Sequence, residues 1–263
     1  MLKNSATELY IFRKWIPQDL KNDVWTTYHL NKIIRKSFSK IQLEGYPLIL
    51  DAGCGYGAEA SYLSKYGEVV GIDLSKNAIR TAKKEYPQSQ FVLGSAIKLP
   101  FKENSFQITF SKDVLHHTPN RIGILSEMKR VTSTDGYIVV LESNAINPVH
   151  KYYFRGKHKE EAGLCKNTES NLLQELRTVG ISNVNSVFID AHTYYLWFGG
   201  WHKKKIVKFL PPFLFLNGMT FMWMFVVNRI PSFMLLVFRM ENIVESSLRL
   251  RIYASFICLI GHK

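Results

Sequence analysis

Short apolar runs that alternate with amphipathic stretches from Pro47 onward predict an α/β protein, with a largely parallel sheet and helices on both faces. Two local features point the same way. One apolar run ends in Asp51 and passes directly into the glycine-rich turn Gly53-Cys54-Gly55-Tyr56-Gly57, and the next run ends in Asp73. The 263 residues suit one large domain, or a domain with an elaborated end, that buries a sizeable core.

Each element follows from its own pattern. Residues 1–46 mix aromatic and basic side chains, and Trp25, Tyr28, Ile33, Ile34, Phe38 and Ile41 recur at helical spacing, which predicts a helical cap ahead of the sheet. Strands are predicted at 48–51, 69–73, 90–93, 106–111 and 136–142. Between them fall helices at 58–65, at 75–86 with Ser75 as N-cap, and at 122–131. A later helix at 169–179 has Thr168 as N-cap and Gly180 just past its end, and a strand at 183–189 follows. Beyond Ala191 the composition shifts. Trp197, Trp201 and Lys203-Lys204-Lys205 lead into residues 209–227, 19 positions without a charge and long enough for a membrane span. A second apolar piece, 230–238, precedes a run at 252–260 that reads as the last strand.

Composition excludes some classes. With 46% hydrophobic and 13% aromatic residues the chain can offset its ordering entropy, so disorder is out. Three scattered cysteines, Cys54, Cys165 and Cys258, make neither a disulfide framework nor a zinc site, and no metal is expected. No charged-then-apolar signal segment precedes Leu9, so a reducing cytoplasm is expected. A formal charge of +13 attracts phosphate in nucleic acid, an anionic membrane or a phosphorylated substrate, and a lysine-rich coding bias explains it equally well.

The glycine turn carries the chemistry. Glycines let the backbone turn sharply and a ligand approach it closely, while a following helix offers unpaired amide donors. Asp73, at the end of the next strand, can accept both hydroxyls of a ribose. The spacing Gly53-x-Gly55-x-x-Ala58 also satisfies the dinucleotide fingerprint, so a nicotinamide or flavin oxidoreductase stays open on these residues alone.

The stretch 48–142 as a whole resembles the class I, Rossmann-like S-adenosylmethionine-dependent methyltransferases, in particular the group that includes quinone and small-molecule methylases. Residues 50–57 are similar to that family's first motif, and 70–75 to its second-strand motif. Residues 94–101 look like its adenine-side loop, 104–106 lead into its fourth strand, and 114–117 place a leucine and two histidines just after that strand. Glu127, Arg130-Val131 and Asp135-Gly136-Tyr137 match its helix, turn and fifth strand. The resemblance implies a seven-stranded, mostly parallel sheet with an antiparallel last strand, running over 47–263 behind a helical cap at 1–46, with 191–250 as an insertion before the last strand.

It also implies roles for residues. Gly53 and Gly55 line the methionine end of S-adenosylmethionine, Gly57 belongs to the same cofactor loop, Asp73 holds the ribose, and Leu74 packs on the adenine near Ser95 and Ala96. Ser111 faces the cofactor from the fourth strand, and Asp51 braces the glycine loop through backbone amides. Two positions depart from the pattern: Ser95 stands where the family has an acid, and Gln107 stands where it has Asp. Both predict modest cofactor affinity, with Asp113 as a substitute polar group.

Methyl transfer requires alignment and exclusion of water, and a base only where the acceptor carries a proton. His117 is the first candidate by position, followed by His116, Glu142 and His150, all at or beyond carboxyl ends of strands. Residues 144–161 interleave aromatic and basic side chains in a loop that can overhang an acceptor. Because the last strand must rejoin the sheet, 209–238 is expected to lie on the inner membrane face or roof an apolar pocket rather than cross, with Lys203, Lys204, Lys205, Lys208 and Arg229 as flanks. The leading expectation is methylation of a lipid-linked, isoprenoid-like or other membrane-borne acceptor. A soluble glycan or RNA acceptor, a nicotinamide oxidoreductase, and a non-enzymatic membrane-surface protein with a degenerate pocket are the alternatives. Nucleic acid is the least expected partner.

Overall fold

The computed structural model describes residues 24–42, 45–147, 163–189, 254 and 256–263, with side chains from Leu30 onward. Helix α1 (Val24–Ser37) precedes strand β1 (Leu48–Ala52), and then come α2 (Ala60–Leu63), β2 (Glu68–Asp73), α3 (Lys76–Glu85) and β3 (Gln90–Leu93). After β4 (Phe106–Lys112) follow α4 (Arg121–Val131), β5 (Thr132–Ser143), α5 (Glu169–Thr178), β6 (Val184–Ile189) and β7 (Phe256–His262). The strands form one seven-stranded sheet in the order β3-β2-β1-β4-β5-β7-β6. β1 to β5 pair in parallel, and β7 runs antiparallel between β5 and β6. This is the α/β architecture that the sequence predicts, antiparallel last strand included.

The central strands are buried on both faces, which is why they read as near-continuous apolar runs. On one face, Ile33, Ile34 and Phe38 from α1 pack with Ile49, Phe110 and Phe256. On the other, Leu125 and Met128 of α4 and Leu172 and Leu176 of α5 meet Leu50, Val140 and Leu259. The caps are where the sequence puts them: Ser75 accepts from the Ala78 N–H at 3.2 Å and Thr168 from the Asn171 N–H at 3.3 Å. Asn120 caps α4 in the same way, accepting from the Gly123 N–H at 3.1 Å.

Three boundaries differ from the sequence expectation, for physical reasons. α2 holds only Ala60–Leu63, because Ser61 and Ser64 turn their hydroxyls back onto the carbonyls of Ala58 and Ser61, and the chain leaves the helix at Ser64. β5 begins at Thr132, four residues early, since the ladder to β4 extends past an irregularity between Phe106 and Ile108. β7 runs to His262 because its register with β5 continues to Tyr137. Gln107 carries a finding of its own. Its Oε1 accepts from the Leu48 N–H at 2.8 Å, so it serves the opening of β1, at the far end of the strands from the glycine turn.

Among the described residues no helix is long and apolar enough to cross a membrane. Most of the expected cap before α1, the loop after Asn147 including His150, and the insertion 191–250 with its apolar run lie outside the described residues.

Gly67 sits where β1 and β2 begin. A Cβ there would stand 2.1 Å from the Pro47 carbonyl oxygen and 2.9 Å from Ile49 Cδ1. Backbone cannot step aside as a side-chain tip can, so Gly67→Ala is expected to cost about 1–3 kcal/mol of unfolding free energy in urea titration. An unchanged midpoint and slope would show that the turn repacks freely.

Candidate active site

The carboxyl ends of β1, β2 and β4 converge on the glycine turn. Gly53, Gly55 and Gly57 all have positive φ, at +83°, +51° and +82°. The N–H groups of Gly53 and Cys54 both donate to the Ile72 carbonyl, at 2.8 and 3.0 Å, which folds the turn over the end of β2. Asp73 locks the rest: Oδ2 accepts from the Gly55 N–H at 2.9 Å and Oδ1 from the Ser75 N–H at 2.7 Å. A Cβ on Gly53 would press within 2.4 Å of Val114 Cγ2, whereas one on Gly55 would meet nothing within 4 Å. Gly53 is therefore glycine for packing, and Gly55 faces open space beside Asp73.

Asp51 does not brace this turn as expected. The amides of Gly53, Cys54, Gly55 and Gly57 donate to Ile72, Asp73 and Cys54 instead. The Asp51 side chain is 2% exposed, and its Oδ2 is buried without a hydrogen-bond partner. Burial pushes its carboxyl well above the usual range, Glu59 and Asp73 add to this, and Lys112 opposes it. Burial also raises the Asp73 carboxyl, partly offset by the N–H groups of Ser75 and Gly55. The Cys54 thiol is pushed far up by burial and then by Asp51, so it carries no thiolate character.

On the adenine side of the expected site, Leu74 at the end of β2 is 66% exposed, and Leu93 and Ile97 beyond it are 52% and 40% exposed. Leu74 is thus no core residue. Three apolar side chains stand open around the ends of β2 and β3, two of which the sequence reading did not single out. Ala96 is half-buried against the core. The Ser95 hydroxyl accepts from the Ile97 N–H at 3.3 Å and closes its own loop. Ser111 is fully buried with an unpartnered hydroxyl, so its side chain is closed to a ligand in this conformation.

After β4 the chain turns through Asp113, at φ 54°, into a short 3-10 turn over Leu115–His117. Glu142 of β5 holds that turn from beneath and is fully buried. Its Oε1 accepts from the N–H groups of Val114 and Leu115, at 2.9 and 2.7 Å. Its Oε2 accepts from Asn167 Nδ2 and pairs with His116 Nδ1, each at 2.8 Å. Of the two ring nitrogens of His116, Nδ1 faces Glu142 and Nε2 points away from it. With four partners Glu142 braces this turn against β5. Asn167, also fully buried, extends the network: its Oδ1 accepts from Arg121 Nη1 at 2.8 Å, and Arg121 grips Glu175 through two bonds at 2.7 and 2.9 Å.

His117 stacks beside His116 with ring centroids 4.0 Å apart. Burial, then the charge of His116, lowers its pKa to about 4. Asp113, His116 and Glu142 bring ligand-type atoms within 4.8 Å of one another. The carboxylates there are already engaged by Ser143, Lys112, two backbone amides and Asn167, which makes the cluster a hydrogen-bonded network rather than an open cation cage. Neither Lys112, which spans Glu59 and Asp113, nor Asn167 was singled out from the sequence.

Residues 50–140, from β1 to β5, match a family model described as a methyltransferase domain. A demethylmenaquinone methyltransferase of Lysinibacillus sphaericus is 32% identical over 114 residues, 40% of this chain and 49% of that one. A phthiotriol/phenolphthiotriol dimycocerosates methyltransferase of Mycobacterium ulcerans is 27% identical over 170 residues, 63% of this chain and 58% of that one. The chain thus spans about half the length of these relatives. Among solved structures, the Haemonchus contortus phosphoethanolamine N-methyltransferase 2 in complex with S-adenosyl-L-methionine has the same fold. Its TM-score is 0.55 at 17% identity, over 89% of this chain and 52% of that one.

The His117 ring supplies a test of the network. A buried imidazole whose pKa falls from 6.5 to about 4 stays neutral in the folded chain while the unfolded chain takes up a proton. Its contribution is complete above the unfolded value and is lost as pH falls toward the folded one. The unfolding free energy of the wild type relative to His117→Gln is therefore expected to drop by roughly 2–3 kcal/mol between pH 7 and pH 4. A pH-independent gap in urea titrations would show that the ring is not held neutral.

Proposed function

We propose that the class I methyltransferase domain of this chain moves the methyl group of S-adenosylmethionine to a lipid-like, membrane-borne acceptor. The observation that carries the cofactor half is the open face of Gly55, whose N–H is held by the Asp73 carboxylate. The residues fit the group. Asp73 keeps acceptor capacity for ribose hydroxyls beside its two N–H partners, and Leu74, Leu93 and Ile97 offer an apolar surface for a purine with Ser95 and Ala96 at its edge. Bound there, the cofactor supplies an electrophilic methyl on a sulfonium, open to in-line displacement.

The protein's part is to hold donor and acceptor in line and to take a proton where the acceptor has one to lose. Glu142 fixes His116 with Nε2 as its acceptor nitrogen and compensates a charge on that ring, the arrangement that makes an imidazole a usable base. His117 remains neutral at its side. The acceptor half rests on two supports: the names of the relatives that methylate demethylmenaquinone and phthiotriol dimycocerosates, and the apolar run 209–238 with its flanking lysines. That run docks on the inner face of a membrane or roofs the acceptor.

Calorimetry with S-adenosylhomocysteine is expected to give micromolar binding, weakened by about 2 kcal/mol in Asp73→Ala, which removes the charge-assisted acceptor. Nicotinamide dinucleotides are expected not to bind, and binding of those alone would favour the oxidoreductase reading. With a polyprenylated naphthoquinol in anionic vesicles as probe, methyl transfer is expected in wild type and is to fall at least tenfold in His116→Asn. Transfer only to soluble glycans or RNA would overturn the acceptor assignment.

A further inference from the structure

Arg121 opens α4, at the end of a helix where the dipole disfavours a cation, and it is buried there. Two acceptors offset that cost. Glu175 of α5 takes Nε and Nη2 at 2.7 and 2.9 Å, and Asn167 Oδ1 takes Nη1 at 2.8 Å. A guanidinium has only donors to offer, so the Asn167 amide must turn its oxygen to Arg121 and its nitrogen to the opposite side. There Nδ2 donates to Glu142 Oε2 at 2.8 Å, the same oxygen that His116 Nδ1 meets at 2.8 Å. Arg121 thereby sets the orientation of an amide whose shape alone would fit either way round.

Main-chain contacts hold Asn167 as firmly as its side chain does. Its carbonyl accepts from the Ala145 N–H at 2.9 Å, just past β5, and its own N–H donates to the Leu164 carbonyl at 3.0 Å across a short 3-10 turn. Gly163 begins that turn and has no room for a side chain: a Cβ would press on the His116 carbonyl oxygen and stand 2.7 Å from the His116 Cα. Residues 163–167 therefore lie directly on the histidine turn. Glu175, Arg121, Asn167, Glu142 and His116 form one hydrogen-bonded series that runs from the rim, where the Glu175 side chain is 18% exposed, to fully buried Asn167 and Glu142 and on to the ring.

We propose that Asn167 is a positioning residue for methyl transfer: through Glu142 Oε2 it aims the His116 ring, with Nδ1 toward Glu142 and Nε2 toward the acceptor. This rests on the reading of His116 as the base. A carboxylate oxygen has two lone-pair directions, and the amide takes one, which leaves the other for Nδ1. Removing the amide opens the second direction and loosens the ring, and a base that wanders from its line of attack loses rate without losing substrate.

Methyl transfer to the polyprenylated naphthoquinol in anionic vesicles is expected to lose tenfold or more in kcat in Asn167→Ala, with KM and S-adenosylhomocysteine binding within about twofold of wild type. In a His116→Asn background the same substitution is expected to cost less than about twofold, because the ring that it aims is gone. A merely structural Asn167 costs equally in both backgrounds. Nitrogen NMR of the His116 ring gives a readout independent of activity: one tautomer, with its proton on Nδ1, is expected in wild type and a mixture of the two in Asn167→Ala. Should Asn167→Ala fail to fold, Asn167→Asp keeps the shape and the Arg121 contact, removes the donor to Glu142, and carries the same comparisons. Equal losses in both backgrounds, or unchanged ring signals, overturn the role of Asn167. A His116→Asn enzyme that transfers at the wild-type rate overturns the base reading instead, so the two failures are distinct.

Discussion

Between β1 and β4 the chain reverses the direction in which it lays down strands, and that reversal places every residue of the site. From β1 it builds outward through β2 and β3 on one side, then returns to place β4 and β5 on the other. Helices α2 and α3 pack on one face and α4 on the other, so the loops after β1 and β4 part in opposite directions and leave a crevice at their carboxyl ends. The glycine turn, Asp73 and the histidine turn follow the carboxyl ends of β1, β2 and β4 and so gather at that crevice. Sheet burial on both faces makes this position rigid, since shifting any central strand would expose its apolar runs.

Two buried carboxylates within the same sheet show how the site differs from its support. Glu142 is fully buried and has four partners on two segments of chain, the 114–116 turn and Asn167, which makes it a structural joint. Asp51 is just as buried but leaves an oxygen without a donor. Folding tolerates few such groups, because each forgoes its hydration without a replacement. The contrast assigns the two acids to different tasks more firmly than their sequence positions do. Both stand one residue before the end of a strand.

Most of the fold was legible because apolar periodicity and capping residues act locally. The strands announce themselves by local apolar runs, the glycine turn by its own composition, and the caps Ser75 and Thr168 by contacts three residues on. The site was legible only in part. Asp73 and Leu74 could be placed from the end of a strand, but the job of Gln107 depends on Leu48, 59 positions away, and that of Asn167 on Glu142 and Arg121. Long-range polar pairing leaves no period in the sequence, so neither Lys112 nor Asn167 carries a signal in its own neighbourhood. α2 was overextended for a related reason: two serines that look neutral in a helical stretch use their hydroxyls to compete for its carbonyls.

The histidine pair follows the same logic of near neighbours. Two rings 4.0 Å apart repel each other when both are charged. Glu142 Oε2 lies 2.8 Å from His116 Nδ1, on the side of that ring out of solvent's reach. Burial first, and then the charge of His116, hold the His117 pKa down at about 4. The two rings thus differ in their surroundings although they are neighbours in sequence: His116 is buried against the Glu142 carboxylate, and His117 lies half-buried beside it, kept neutral by burial and by its neighbour's charge.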